Sequence, residues 1–368
     1  MLIFFILIIA QIIFLGIITM CLKKNNKSTE NISNNYKTIG VLIPFRNEEQ
    51  NLPEILNRLK NQTYSKTYTQ IIFINDHSTD NSYKIVSSFI EKNKLENFTL
   101  VNLPEQQQGK KQALIYGLNF IKTDIIVHTD ADTLLNKLWL NTIVNYFNKS
   151  DAGLVLMPVF YKSNKEISRL SESIQILETN LLAAVTKISA VCTGKPILAN
   201  GANMAYIAEL KDYFIDSYNK LSSGDDMFFL EYCNNKNIKI EYLDNENVYV
   251  YTKTENNFFN FILQRIRWSG KNSKLSNKHI KITGITVILI NLLWVSIFFF
   301  NKIIILNALA FKVLSEFLTN YYIIHHFKLQ KNVLIDTTVF SILYPFYIVM
   351  ITILSFFVKP KWKGRVVR

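Results

Sequence analysis

The stretch I-I-V-H-T-D-A-D-T, residues 125–133, reads as a buried strand that ends in two aspartates one residue apart. Ile125, Ile126 and Val127 form a short continuous apolar run, the pattern of a strand covered on both faces. Asp130 and Asp132 then stand at the carboxyl end of that strand. Two carboxylates there call for a counter-charge, and hard-oxygen ligands suit Mg²⁺ or Mn²⁺ shared with substrate phosphates. D-x-D alone is a weak pattern, and a solvated acidic loop is the competing explanation.

The same arrangement of apolar strand and polar end recurs upstream. Residues 39–44 read as a strand, and 47–61 as a helix with Leu52, Ile55, Leu56 and Leu59 on one face. Residues 70–74 form a second buried strand ending at Asn75 and Asp76, and 81–93 a helix with Ile85, Val86, Phe89 and Ile90 inward. A third strand at 98–102, a helix at 109–121 and the strand at 124–128 continue the alternation. Such βα alternation predicts an α/β fold with a mostly parallel sheet covered on both faces. Ligands of these sheets bind beyond the carboxyl ends of the strands. The polar clusters at 44–49, 75–80 and 128–133 all fall at that address. Residues 136–150 are expected to be a helix, 152–158 a strand, 166–190 a core-facing or membrane-surface helix, and 237–251 further strand.

Six motifs occur in order: V-L-I-P-F-R-N-E-E (41–49), I-N-D-H-S-T-D (74–80), G-K-K-Q-A-L (109–114), D-A-D (130–132), G-D-D (224–226) and Q-R-I-R-W (264–268). With these, the chain resembles the inverting family 2 glycosyltransferases of GT-A (Rossmann-like) fold, especially the membrane-attached branch of polysaccharide synthases and lipid glycosyltransferases. The resemblance implies that Pro44, Asn47 and Glu48 form a nucleotide-side loop and that Asp76 contacts the base or ribose, with Asp80 shaping the same turn. It places Lys110 on the nucleotide phosphates and Asp130 and Asp132 on the diphosphate and metal, with Asp132 the direct ligand. Asp226 becomes the general base, supported by Asp225. Gln264, Arg267 and Trp268 match Q-x-x-R-W and would serve the nucleotide sugar or the acceptor. Relatives place acceptor-side loops at 194–196 and 200–203, where Gly201 would allow close backbone approach. Plainer roles compete with each of these: helix capping for Asp76, Ser78, Thr79 or Asp80, a surface position for Lys110, a helix-dipole pair for Asp225 and Asp226, and an interfacial anchor for Trp268.

The ends of the chain are apolar. Residues 1–22 carry no charge and one amide, Gln11, and are long enough to cross a bilayer as a retained anchor. Lys23, Lys24 and Lys27 follow, within a polar linker at 23–37, and put the 38–270 catalytic domain in the cytoplasm. The 271–358 region holds spans at 282–300 and 333–358, the latter kinked at Pro345. The 303–327 segment between them carries Lys312, Glu316, Asn320, His325 and His326, and the positive-inside rule slightly favours an interfacial helix there. A basic tail at 359–368 closes the chain. The net charge of +13 gathers beside the apolar segments, which suits anionic lipids; no nucleic-acid-binding signature accompanies it, and nucleic acid is not an expected partner. Cys21, Cys192 and Cys233 lack metal-like spacing and are expected as separate reduced thiols.

The expected protein is thus a multi-pass enzyme of the cell membrane, using Mg²⁺ or Mn²⁺. It would move a sugar from a nucleotide diphosphate sugar, with UDP as the expected nucleotide, to a lipid-linked or hydrophobic acceptor. A processive polysaccharide synthase and an inactive nucleotide-sugar-binding scaffold are the alternatives, and a pyrophosphate-releasing nucleotidyltransferase is a third.

Overall fold

Contacts divide the chain into two compact units, residues 25–160 with 193–253, and residues 1–24, 161–192 and 254–368. The computed structural model describes residues 2–23, 36–162, 169–216, 224–272, 275–331, 334–358, 361–362 and 365–366. Most of the expected linker and of the basic tail lies outside the described residues.

The first unit is built on β1 (Ile39–Phe45), β2 (Thr69–Asn75), β3 (Phe98–Asn102), β4 (Ile125–Thr129), β5 (Leu154–Leu156), β6 (Val159–Lys162), where the chain leaves the unit, β7 (Asn203–Ile207), β8 (Ile240–Tyr242) and β9 (Val250–Lys253). Seven of these strands form one sheet in the order β3-β2-β1-β4-β7-β5-β8. β3, β2, β1 and β4 are parallel neighbours, β7 runs antiparallel to β4 and β5, and β8 is parallel to β5. Every residue of β1 and β4 is buried, whereas β3 is half-buried along most of its length, as expected of an edge. The helix Leu52–Lys60 buries Leu52, Ile55, Leu56 and Leu59, the face read from the sequence. Those four leucine and isoleucine side chains join one core with Val41, Ile43, Phe73, Val127 and Trp139. β7 has no counterpart in the sequence reading, which places only a loop at 200–203. The strand is five residues long, and its partner β4 lies far upstream in the chain.

The parallel register brings the polar clusters to one edge. Phe45 stands opposite Asn75, and Asn75 opposite Asn102. The Asp76 N–H then donates to the Phe45 carbonyl at 2.8 Å, which joins the first two clusters directly.

The second unit is helical. Among the described residues four helices are long and apolar enough to cross a membrane: Ile3–Leu22, Ser171–Thr193, Lys278–Phe299 and Lys302–His326. Leu334–Phe340 and Tyr344–Phe357 form a pair bent by 64°, with Pro345 in the first turn of the second helix. The helix Lys302–His326 turns its charge inward. Lys312, Ser315, Thr319 and Asn320 are buried, while Ile303, Leu306 and Leu314 are exposed. Lys312 Nζ bonds Glu316 Oε1 at 3.0 Å and lies 4.7 Å from the centre of the Trp294 ring, and Gln11 Nε2 donates to the same carboxylate oxygen at 3.1 Å. Lys312 and Glu316 therefore face protein, while Ile303, Leu306 and Leu314 lie on the exposed side of the helix. Glu316→Leu would strand the Lys312 ammonium, and losing one partner of a buried pair costs about 3–5 kcal/mol. Thermal unfolding in detergent should show a large fall for Glu316→Leu and a much smaller one for the double change Lys312→Met, Glu316→Leu.

The cysteine expectation is corrected in this unit. Cys21 and Cys192 are joined as a disulfide, with Cα atoms 6.9 Å apart, and Cys233 alone is free and buried. The pairing follows from helix ends that the sequence does not connect. The Leu22 carbonyl accepts from Lys187 Nζ at 3.0 Å, which seats the end of the first helix against Arg169–Thr193.

Candidate active site

The loop after β1 is locked to the loop after β2. Asn47 adopts a left-handed conformation (φ 52°), and its Oδ1 accepts from the Thr79 N–H at 2.8 Å. The Glu48 N–H donates to Ser82 Oγ at 2.8 Å, and Glu49 N–H donates to Asp80 Oδ2 at 3.2 Å. Asp80 Oδ1 also accepts from the Ser82 N–H at 3.0 Å, so Asp80 satisfies the first N–H of the helix Ser82–Asn93, whose N-cap position is Asn81. Pro44 is buried inside β1. Asp76 is buried as well, and its Oδ2 accepts from the Gly109 N–H at 3.0 Å. Asp76 thereby anchors the start of the next helix, Lys110–Leu118, a role its motif did not announce.

That anchor places Lys110. Its Nζ lies 2.5 Å from Asp130 Oδ1. Burial alone would favour a neutral amine, but Asp130, Asp225 and Asp226 hold the ammonium well above the usual lysine range. Desolvation raises the Asp130 carboxyl, with Lys110 opposing it and Asp132 adding to it. Desolvation also raises Asp132, and the charge of Glu48 pushes the same way. Asp132 Oδ2 accepts from Thr252 Oγ1 at 2.9 Å. Thr252 was not legible as a partner, because it reaches the aspartate only through the bridge between Leu134 and Tyr251.

Asp225 and Asp226 open the helix Asp225–Asn235, which follows Gly224 in a left-handed conformation (φ 93°). Asp226 accepts from the Gly201 N–H on Oδ2 at 3.1 Å and from the Met227 N–H on Oδ1 at 2.8 Å. Asp225 is 6% exposed, and among the described residues nothing hydrogen-bonds its Oδ2. The structure thus brings Lys110, Asp130, Asp225, Asp226 and Gly201 together, with Asp132 and Glu48 in electrostatic reach of the same group. His128 sits behind them, fully buried, with Nε2 3.0 Å from the Tyr206 hydroxyl. Burial pushes its imidazole down to about 3, so it is neutral. It was quoted in the motif without a role; its position inside β4, between two buried residues, was the available signal.

Among the described residues no group of three or more His, Cys, Asp or Glu side chains gathers as a metal centre. Asp130 and Asp132 nonetheless fit a hard divalent cation. They are oxygen donors one residue apart, raised in pKa by desolvation first and then by neighbouring negative charge. A cation held by few carboxylates keeps coordination positions for phosphate oxygens.

Gln264, Arg267 and Trp268 belong to the other unit, on the helix Phe258–Asn272. Gln264 Nε2 donates to Glu255 Oε1 at 3.0 Å, and its Oε1 accepts from Arg265 Nη1 at 2.6 Å. The Arg265 guanidinium pairs with buried Glu178 and lies 4.1 Å from the centre of the Trp268 ring. One face of that indole is therefore covered by a cation.

A seven-stranded, mostly parallel sheet with two acid pairs and a lysine at its loop edge defines a GT-A-type transferase scaffold. The chain belongs to the family 2 glycosyltransferases: the profile "Glycosyl transferase family group 2" matches residues 125–358, and "Glycosyl transferase family 2" matches residues 40–200. The chain is 33% identical over 119 residues to a probable glycosyltransferase, YdaM, of Bacillus subtilis (strain 168), covering 32% of this chain and 28% of that protein. It is 30% identical over 156 residues to 4,4'-diaponeurosporenoate glycosyltransferase of Staphylococcus haemolyticus (strain JCSC1435), covering 41% of this chain and 40% of that one. The matched stretches thus span less than half of these relatives. In fold, the chain resembles the mannosyltransferase PcManGT of Pyrobaculum calidifontis, solved with GDP-Man and Mn²⁺, at TM-score 0.61 and 16% identity over 95% of this chain and 98% of that one.

Proposed function

We propose that this transferase is a membrane-anchored, inverting enzyme that moves a sugar from a nucleotide diphosphate sugar to a lipid-linked or hydrophobic acceptor at the cytoplasmic face. The observation that carries it is Lys110, whose ammonium contacts Asp130 and feels Asp225 and Asp226, so donor-side and acceptor-side acids share one small volume. In the transfer, Asp226 takes the proton of an acceptor hydroxyl as that oxygen bonds the anomeric carbon. The bond from that carbon to the phosphate oxygen breaks, and its electron pair leaves on the nucleoside diphosphate. Lys110 faces the negative charge that develops there. A single displacement inverts the anomeric configuration. Asp130 and Asp132 would hold Mg²⁺ or Mn²⁺, which when bound neutralises the diphosphate. Pro44, Asn47, Glu48 and Asp76 border the nucleotide side. Gln264, Arg267 and Trp268 are assigned to nucleotide-sugar binding on the Q-x-x-R-W resemblance alone.

Membrane attachment is supported by the four apolar helices and by the exposed Ile303, Leu306 and Leu314 of Lys302–His326. UDP is the expected donor nucleotide, and the GDP-Man of PcManGT makes GDP-mannose the second donor to test. The test is a screen of UDP- and GDP-sugars on the protein in native-like membranes, with and without Mn²⁺, scored by nucleoside diphosphate released. Release of one nucleotide, dependent on the cation and coupled to label entering the membrane fraction, is the expected result. No turnover with any donor, with binding retained, would leave a nucleotide-sugar-binding scaffold in its place.

A further inference from the structure

Arg265, the second residue of Q-R-I-R-W, lies outside the Q-x-x-R-W pattern, yet it touches two members of it. Its Nη1 donates to Gln264 Oε1 at 2.6 Å, and its guanidinium lies 4.1 Å from the centre of the Trp268 ring and 4.6 Å from that of Phe261. Its Nε pairs with Glu178 of the helix Arg169–Thr193, and the two side chains are only 6% and 8% exposed. Nη2 has no hydrogen-bond partner among the described residues. The ring faces therefore serve a guanidinium withdrawn from water, where cation–π attraction is strongest. Fork and stack together fix its plane, which a lysine could not reproduce.

The helix that carries Glu178 grips the same segment a second time. Gln175, one turn earlier and fully buried, donates from Nε2 to the Glu255 carbonyl at 3.0 Å and accepts on Oε1 from the Glu255 N–H at 2.8 Å. The Glu255 side chain in turn accepts from Gln264 Nε2 at 3.0 Å, and the Tyr161 hydroxyl lies 3.5 Å from Gln264 Oε1. The Gln264 amide is thus committed to protein at both ends, with one N–H left for a ligand. All of these residues belong to the helical unit.

We propose that Arg265 and Glu178 are positioning residues for nucleotide-sugar binding: Glu178 orients the guanidinium, which fixes the Gln264 amide and backs one face of the Trp268 indole, so that the ring meets the donor in a set plane. This inference rests on the assignment of Gln264 and Trp268 to the donor and adds what holds them in place.

The pair also serves the fold, so single changes mix two effects. Removing either partner leaves a buried charge, and Arg265→Met or Glu178→Leu alone should lower the thermal midpoint and donor binding together. The double variant Glu178→Leu, Arg265→Met removes both charges and keeps the volume filled, so its midpoint in detergent should return close to wild type. Its donor binding should not return. Donor Kd is read on the full-length protein by displacement of a fluorescent UDP-sugar or GDP-sugar analogue, whichever the donor screen selects. It should rise by about tenfold or more, the scale of one lost charge-assisted contact. Arg265→Lys keeps a charge for Glu178 but loses the fork and the flat stack, so it should hold the midpoint and still raise Kd. Trp268→Ala gives the reference for the indole, and adding it to the double variant should raise Kd by less than it does in the wild type, because both changes act through one ring. Wild-type Kd in Arg265→Lys, or in a double variant with a restored midpoint, would reduce the pair to a structural role and overturn the assignment. Full additivity with Trp268→Ala would overturn it too, by showing that Arg265 acts away from the indole. An unchanged Kd in Trp268→Ala would instead remove the binding role on which the inference rests, and the inference with it.

Discussion

Asp226→Asn is expected to lower the transfer rate by about 10²–10⁴-fold, the usual worth of a positioned general base. The amide has the same shape but cannot take up the acceptor proton at neutral pH. The surroundings of Asp226 add a complication that the experiment must separate. Backbone N–H groups point at both its oxygens, Gly201 at Oδ2 and Met227 at Oδ1. In either orientation the amide nitrogen of asparagine meets one of these donors, so one hydrogen bond is lost and two donors face each other. That conflict costs about 1–3 kcal/mol of stability. A fall in thermal midpoint is therefore expected beside the kinetic loss. The two are distinguished by working well below the midpoint, where the variant is folded and donor Kd can be shown unchanged. Transfer within threefold of wild type under those conditions would take Asp226 out of the base role and leave Asp225 as the candidate.

The sheet was legible because its central strands are continuous apolar runs. Residues 39–44, 70–74, 98–102 and 124–128 each correspond to an observed strand; Leu52–Lys60 buries the expected face, and in Ser82–Asn93 Val86 is buried while Ile85, Phe89 and Ile90 are half-buried against the core. The common address of the polar clusters was legible for the same reason, since the ends of parallel strands lie on one edge. Contacts of long sequence separation were not. Thr252 reaches Asp132 across 120 residues through a single bridge, and β7, which opens on Asn203, is no continuous apolar run and pairs with a strand far upstream. The side-chain economy of Asp76 was hidden too, because D-H-S-T-D signals a turn and says nothing of Gly109. In 303–327 the sequence shows only that charge is present: Lys312 and Glu316 pair with one another inside the bundle, and only the direction of the helix face reveals it.

Asp132→Ala is expected to lower transfer by about 10²–10³-fold or more, the cost of removing one preorganised stabiliser of the leaving group's charge, while leaving membrane insertion intact. Its effect on stability should have the opposite sign from a simple loss of contact. Asp132 is a desolvated carboxylate whose pKa is raised by burial and by Glu48, and it also raises Asp130. Removing it gives up the Thr252 hydrogen bond but relieves like-charge repulsion at a desolvated site. The thermal midpoint without added cation should therefore hold or rise as activity collapses, the trade-off of a functional site kept at a cost to the fold. Asp130→Ala makes the contrast. It removes the carboxylate that bonds Lys110 at 2.5 Å and leaves an ammonium without its nearest counter-charge, so its midpoint should fall. Paired melting curves and label-transfer rates for the two variants check both signs. Equal destabilisation by both would mean that Asp132 serves the fold, and normal transfer by Asp132→Ala would remove it from the donor side altogether.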